Sequence, residues 1–97
     1  MVNKGLLVRL EAKPGKEKEL EKFLHSALPL VLEESGTENW YAIRMTESTF
    51  AIFDTFANDV DRDVHLGGAI ATALMEKASE LLVANPVIEK VDVLAVK

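Results

Sequence analysis

The sequence predicts an α+β domain with the element order β-α-β-β-α-β. Four segments either alternate between apolar and polar residues or are apolar in both registers, which is typical of strands. Two longer segments repeat apolar residues at the spacing of one helix face. The first helix follows the first strand, and the second lies between a hairpin and the last strand. This order is that of the ferredoxin-like, or split βαβ, arrangement.

The first part of the chain contains a strand and a long helix. Alternation over residues 6–11 predicts strand one, and residues 13–16 are typical of a turn. From there to about Ser35, apolar residues recur at helical spacing: Leu20, Phe23, Leu24, Ala27, Leu28, Val31 and Leu32. Pro29 lacks an N–H to donate to the preceding turn, so we expect a kink or a short break there. Gly36 is expected to end the helix.

Strands two and three are predicted over residues 40–45 and 49–56, joined as a hairpin. Strand three is apolar in both registers: Phe50, Ile52 and Phe56 share one face, and Ala51 and Phe53 share the other. Such a strand is expected to be covered on both faces. Asp54 is the one acid that interrupts it.

The second helical region starts at Asn58, an expected N-cap followed by acids in the first turn. A short helix is expected to about Leu66, and Gly67-Gly68 then allows a bend. The inward stripe of the following helix is expected to contain Leu66, Ile70, Leu74, Ala78, Leu81 and Leu82. Asn85-Pro86 is expected to end that helix, and residues 87–96 to form the last strand.

The expected assembly is a homodimer. In this topology both helices pack on one sheet face, yet strands one, three and four carry apolar residues in both registers. A bare apolar sheet face is typical of an interaction surface, and two sheets meeting face to face would cover it. A ligand pocket is then expected between sheet and helices or between the two sheets.

Composition narrows the classes of function. A chain of 97 residues predicts a single domain over residues 1–97. A net charge of −5 without a basic cluster argues against nucleic acid and anionic membranes as partners. The absence of cysteine excludes disulfides, thiolate chemistry and iron–sulfur clusters. Two distant histidines do not predict a metal site. We expect a cytoplasmic protein, because no signal peptide or transmembrane run is recognised.

Several motifs, taken in order, resemble the antibiotic biosynthesis monooxygenase family over almost the whole chain. They are Lys13-Pro14-Gly15-Lys16, the proline-containing helix that ends in Glu33-Glu34-Ser35-Gly36, Trp40-Tyr41, Ile52-Phe53-Asp54-Thr55-Phe56 and His65-Leu66. The chain differs from the family pattern at three positions. Asp54 stands where Glu is common, Phe56 where Trp is frequent, and Ile70 where many members have a second histidine.

The resemblance implies a small dimeric α+β barrel that oxygenates a hydroquinone-, phenol- or anthrone-like substrate with O₂. It also implies that neither metal nor flavin is needed, because such substrates reduce O₂ once they are deprotonated. The protein would then supply a base, an orienting pocket and stabilisation of negative charge.

The candidate catalytic residues are His65, Asp54 and Arg44. His65 is a candidate general base or hydrogen-bond partner of the substrate, because its ordinary pKa lies near neutral pH. Asp54 is a candidate to orient His65 or to bind the substrate, and the alternative is a structural ion pair with Arg44 or Arg9. Arg44 is a candidate to stabilise a phenolate or a superoxide-like intermediate, or is a solvated rim residue.

The candidate substrate-binding residues are mostly aromatic: Trp40, Arg9, Phe50, Phe53 and Phe56. Trp40 is placed to stack on a flat substrate or, alternatively, to pack in the core or at the dimer interface. His25 is expected at the surface. Two other functions remain open, a non-catalytic dimer that binds a small molecule and a heme-binding or heme-degrading protein.

Overall fold

One antiparallel sheet and a layer of helices on one of its faces make up the described chain. The structure is a computed structural model that describes residues 2–97. The strands are β1 (Lys4–Glu11), β2 (Thr37–Arg44), β3 (Thr49–Phe56) and β4 (Val87–Asp92), and the helices are α1 (Glu17–Leu32), α2 (Asp59–Leu66) and α3 (Ala69–Leu81). The sheet order is β2-β3-β1-β4. The predicted α+β, ferredoxin-like order is confirmed.

The strand register decides which residues face the helices. Asp54 on β3 pairs with Leu6 on β1 and with Trp40 on β2, so these side chains share one face of the sheet. Leu6 and Asp54 are fully buried under the helices. Phe53, which pairs with Leu7, points to the opposite face. The one acid of strand three therefore lies in the interior.

The core lies between the sheet and the helices. Its larger cluster comprises Val8, Leu10, Ala12, Leu20, Leu24, Phe50, Ile52, Leu74, Ala78, Leu81 and Leu82. A smaller cluster comprises Ala27, Val31 and Ile70. Trp40 packs against both clusters, so its indole ring joins the two parts of the core.

Helix α1 is continuous and shorter than the sequence predicted. It runs through Pro29 without a break and ends at Leu32 rather than near Ser35. Pro29 lies close to the C-terminal end, where the loss of one hydrogen bond affects only the last turn. The N–H groups of Glu33 and Glu34 then donate to carbonyls three residues earlier, at 3.2 and 3.0 Å. The prediction that Gly36 ends the helix was wrong, because the helix already ends at Leu32.

Three strands differ from their predicted bounds. β1 begins at Lys4 rather than Leu6, and β2 runs from Thr37 to Arg44 rather than from Trp40 to Met45. β4 ends at Asp92 rather than Val96, because Asp92 already pairs with Lys4, the first residue of β1. The Val93 N–H still donates to the Asn3 carbonyl at 2.9 Å, and the next residue, Leu94, is 94% exposed.

The second sheet face has no helix over it within residues 2–97. Ala51 on this face is buried, and its other apolar side chains are half-buried or exposed: Leu7, Tyr41, Ile43, Phe53, Val87 and Val91. We call this surface the open face. No helix within residues 2–97 has the length and apolar character that a membrane span requires.

Candidate functional site

Asp54 and His65 meet in the interior between β3 and α2. The Nε2 atom of His65 lies 2.9 Å from Oδ2 of Asp54, and the two side chains are 8% and 1% exposed. The expected N-cap sets the start of α2, since Oδ1 of Asn58 accepts a hydrogen bond from the Asp61 N–H at 2.8 Å. Helix α2 then places His65 one residue before its end, over the face of the sheet that carries Asp54.

A second acid contacts the other nitrogen of the same imidazole. Oε1 of Glu34 lies 2.6 Å from Nδ1 of His65, and Glu34 comes from the turn between α1 and β2. The hydroxyl of Thr37 donates to the same Oε1 atom at 2.7 Å. The imidazole is therefore held between two carboxylates, one from β3 and one from this turn.

The two carboxylates favour the charged form of His65. Burial is the largest single influence and lowers its pKa, but the hydrogen bonds and charges of Asp54 and Glu34 together outweigh it. The pKa of His65 is therefore raised above its ordinary value of 6.5. An imidazolium ion suits the stabilisation of negative charge, whereas action as a base requires that the proton leave first.

Asp54 retains hydrogen-bonding capacity despite its contact with His65. Its Oδ2 atom is in contact with Nε2 of His65 at 2.9 Å, whereas its Oδ1 atom is buried with no hydrogen-bond partner among residues 2–97. The indole Nε1 of Trp40, the cross-strand neighbour of Asp54, is also buried without a partner in that range. Unpaired buried polar groups are costly and are often found at functional sites.

A cavity of about 660 Å³ lies between α1 and the outer part of β2. Its lining includes Trp40, Phe50, Leu24 and Leu28 as apolar walls, with polar groups at the rim. Arg44 lies there, hydrogen-bonded to Glu21 and with its guanidinium 5.1 Å from the centre of the Phe50 ring. We call this the larger cavity.

A cavity of about 410 Å³ lies at the opposite end of β2. It is lined by Leu30, Glu33, Glu34, Ser35, Gly36, Thr37, Asp61, Val64, His65, Gly68 and Ala69. We call this the smaller cavity. As lined by the described residues, the two cavities share no residue. Trp40 lines the larger one and His65 the smaller one, so the group of Trp40, Asp54 and His65 separates them.

The structure brings together some of the predicted site residues and not others. Phe50 and Trp40 line the larger cavity with Arg44, while Phe56 is fully buried, with its ring centre 5.3 Å from that of His65. Phe53 lies on the open face, where it could contact only a ligand on that side of the sheet. Phe56 is therefore a support for His65 rather than a cavity wall.

The expected alternatives for the charged residues are also resolved. The idea that Asp54 pairs with Arg44 or Arg9 was wrong, because its ionic contact is with His65. Arg44 pairs with Glu21, and Arg9 lies on the open face 4.0 Å from Glu89. Arg44 follows Trp40 by four positions, about 13 Å along the strand, which places it at the far end of the larger cavity.

Sequence reasoning did not assign roles to two residues that support the site. Glu34 was noted only as part of an acidic turn. Arg62 is buried and donates to the carbonyls of Gly5 and Val91 at 3.2 and 3.3 Å, and to Asp59 at 2.8 Å. It therefore ties α2, which carries His65, to the ends of β1 and β4. Its only sequence signal was a lone cation among the acids of α2.

Comparison with solved structures decides the family. The NE2512 protein of unknown function from Nitrosomonas europaea is 54% identical, with a TM-score of 0.98, and the match covers 100% of this chain and 94% of that one. The chain belongs to the same family as NE2512. No protein-family model matches the chain, and no curated protein is similar to it.

More distant structures show the same fold. PA3566 from Pseudomonas aeruginosa has a TM-score of 0.81 at 20% identity, covering 98% of this chain and 97% of its own. A Caulobacter crescentus protein that carries the provisional name antibiotic biosynthesis monooxygenase has a TM-score of 0.81 at 22% identity, covering 97% and 92%. At identities of 20% and 22%, the TM-scores of 0.81 show that the fold alone is shared.

Proposed function

We propose that the protein is a cofactor-independent monooxygenase that oxidises a small hydroquinone-, phenol- or anthrone-like substrate with O₂. The observation that carries this proposal is the buried contact between Asp54 and His65 beside Trp40, which lines an aromatic cavity. The fold shared with proteins that carry the monooxygenase name supports it.

The cavity suits a flat aromatic molecule. Its volume of about 660 Å³ falls within the usual range for small-molecule sites. Trp40 and Phe50 present aromatic surface for stacking, and Arg44 provides a cation at the far end. A phenolate oxygen near Arg44 would be stabilised by its charge.

The buried pair supplies the proton chemistry. Asp54 is buried and lines neither cavity, so the Trp40 side chain beside it must move before a substrate hydroxyl or acidic C–H in the larger cavity can give its proton to the Asp54 carboxylate. The resulting anion then reduces O₂ directly. Arg44, which lines the larger cavity, acts directly on the negative charge that develops on oxygen in this step, and the imidazolium of His65, which lines the smaller cavity, acts on it at longer range. When an anthrone-type methylene becomes a carbonyl, one oxygen atom of O₂ enters the product and the other leaves as water, so the substrate is the only reductant.

We also propose that the working form is a homodimer joined through the open faces. The face carries six half-buried or exposed apolar side chains with no helix over them within the described residues, and completing the burial of each contributes up to about 1.5–3 kcal/mol. In such a dimer, Phe53 and Arg9 would lie at the interface and would reach a ligand held between the two sheets.

Oxygen uptake tests the proposal. Chelator-treated protein is mixed with a reduced naphthoquinol, and uptake is corrected for protein-free autoxidation. We expect protein-dependent uptake and an oxygenated product, and in His65→Ala a loss of turnover of roughly 10²-fold or more. Absence of uptake with quinol, phenol and anthrone substrates would contradict the oxygenase.

A non-catalytic binding protein is the second candidate. Both nitrogens of His65 already contact carboxylates, which is also a stable structural arrangement. The same contacts disfavour ligation of heme iron by His65. The single tryptophan, Trp40, lines the larger cavity, so its fluorescence should report binding. Quenching by an oxidised naphthoquinone without oxygen uptake from the quinol favours the binding protein.

A further inference from the structure

We infer that Glu34 is a positioning residue of the proposed active site, which holds the imidazole of His65 against Asp54 and connects it to the smaller cavity. This inference rests on the proposed function and deepens it. Glu34 acts through His65, and its contacts place it outside the larger cavity. Three observations carry the inference. They are the hydrogen bonds that fix the Glu34 carboxylate, the nitrogen of His65 that it contacts, and the increase in solvent exposure from Asp54 through His65 to Glu34.

The Glu34 carboxylate is fixed from two sides. Its Oε1 atom lies 2.6 Å from Nδ1 of His65 and accepts the Thr37 hydroxyl at 2.7 Å. The backbone is anchored as well, since the Glu34 N–H donates to the Val31 carbonyl at 3.0 Å and its own carbonyl accepts from the Thr37 N–H at 3.3 Å. A carboxylate held in this way can orient the ring that it contacts.

The two carboxylates contact the two different nitrogens of the His65 ring. With Nδ1 donating to Glu34, the ring turns Nε2 towards Asp54, which lies 2.9 Å away. A hydrogen bond at one nitrogen determines the orientation and the protonation at the other. Loss of the Glu34 contact would leave only the contact with Asp54 to fix the ring.

The solvent exposure of the side chains increases from Asp54 through His65 to Glu34. The side chains of Asp54, His65 and Glu34 are 1%, 8% and 23% exposed, and Glu34 lines the smaller cavity. The proton on Nδ1 can move to Oε1 of Glu34, which leaves a neutral imidazole protonated at Nε2. The carboxylic acid then passes that proton to water in the cavity, and the reverse steps restore the imidazolium. His65 thus exchanges its proton without passing it through the larger cavity.

Few charged groups face His65, so the effect of removing one of them can be measured separately. Asp54 faces it from β3 and Glu34 from the turn after α1, while on its own helix Asp61 lines the same cavity. From α3, the described neighbours that line this cavity are uncharged. Glu34→Gln removes one of the two contacting charges, and its amide oxygen can still accept from Thr37.

The experiment follows the imidazole of His65 by NMR during a pH titration of the full chain. The variants are Glu34→Gln and Glu33→Gln, a matched control whose side chain lines the same cavity without contacting His65. We expect the pKa of His65 to fall in Glu34→Gln and to keep its wild-type value in Glu33→Gln. An unchanged titration of His65 in folded Glu34→Gln would overturn the inference.

Glu34→Asp is the second variant, in case Glu34→Gln does not fold. It keeps the charge but retracts the carboxylate by one methylene, so we expect the His65 titration to shift in the same direction. An unchanged titration in this variant also counts against positioning.

Measuring naphthoquinol turnover tests the role of Glu34 separately from the proposed oxygenase activity. In Glu34→Gln we expect roughly a tenfold loss of kcat and a displaced pH profile of naphthoquinol oxidation, a smaller loss than for an acid–base group itself. A shifted titration in protein that takes up no oxygen contradicts the oxygenase and supports Glu34 as the residue that positions His65. Uptake with an unchanged pH profile in Glu34→Gln supports the oxygenase and overturns the role of Glu34.

Discussion

The Nε2 atom of His65 lies 2.9 Å from Oδ2 of Asp54, and this contact joins α2 to β3 inside the protein. Each residue compensates the burial of the other, because an isolated buried charge is costly. Removing one partner of a buried ion pair typically destabilises a protein by about 3–5 kcal/mol, since the remaining charge is left alone. The contact is therefore a structural element as well as a candidate site, and the predictions below separate these roles.

Asp54→Asn should impair both stability and turnover. The amide keeps the shape of the side chain but loses its charge, so the pKa of His65 should fall. Because Glu34 still contacts the imidazole, the free energy of unfolding should decrease by only about 1–3 kcal/mol, less than for a buried charge left alone. Turnover of the quinol should decrease by roughly 10²-fold or more if the carboxylate takes the proton. Urea unfolding and oxygen uptake measure the two effects.

The matched control for that substitution is Asp92→Asn. Asp92 is an exposed acid at the end of β4 that pairs with Lys4. It should change the free energy of unfolding by less than about 1 kcal/mol. Equal turnover in Asp54→Asn and wild type would remove Asp54 from the mechanism.

The contribution of His65 to stability should decrease as the pH rises. Its folded pKa lies above 6.5, so folding favours the protonated form. The contribution is complete below the unfolded pKa and is lost as the pH passes through the folded pKa. The difference in unfolding free energy between wild type and His65→Gln should therefore be larger at about pH 6 than at about pH 9.

The control for the pH series is His25→Gln. His25 is exposed, and its side chain lies 3.7 Å from Glu21 on the same helix. Its effect on unfolding should be small at every pH. A His65 difference that stays constant or grows with pH would contradict the raised pKa.

Arg44→Met should weaken binding of an anionic phenol more than binding of a neutral analogue. Arg44 is half-exposed in its contact with Glu21, so its loss should change the free energy of unfolding by less than about 1 kcal/mol. Quenching of Trp40 fluorescence measures both affinities. Lys18→Met, an exposed cation on α1 that lines neither cavity, is the matched control. Equal losses for the charged and neutral ligands would leave Arg44 without an electrostatic role.

Phe53→Glu should convert the proposed dimer into a monomer. Phe53 is partly buried on the open face, where a charge would be costly to cover with a second sheet. Val60→Glu is the control, because Val60 is already 69% exposed on α2. Sedimentation should give the mass of two chains for wild type and Val60→Glu and of one chain for Phe53→Glu. A single-chain mass for wild type would contradict the dimer.

The sequence predicted the elements with strong local signals. Strand three was placed at Thr49–Phe56, and Asn58 was identified as an N-cap, because alternation and capping depend on neighbouring residues. The contact between Asp54 and His65 was one of several alternatives, since Arg44 and Arg9 were also possible partners. In the structure Arg44 pairs instead with Glu21 on α1. This pairing depends on the register of β2 and on the position of α1, which the sequence pattern does not give.

Glu34 was missed for a specific physical reason. The apolar periodicity extended the first helix to about Ser35, so Glu34 was noted only as part of the acidic turn at its end. The helix instead ends at Leu32, and the following turn carries Glu34 towards α2. Helix ends are the least reliable part of a sequence-based prediction. The inference on Glu34 depends on where α1 ends.

The separation of the two cavities by Trp40, Asp54 and His65 has a kinetic consequence. A ligand that fills the larger cavity leaves the smaller one open to water, because the described residues that line them are different. The rate at which a ligand leaves the larger cavity and the rate at which His65 regains its proton can then be independent. An inhibitor in the larger cavity would slow turnover, while the imidazole of His65 would still exchange protons with water in the smaller cavity.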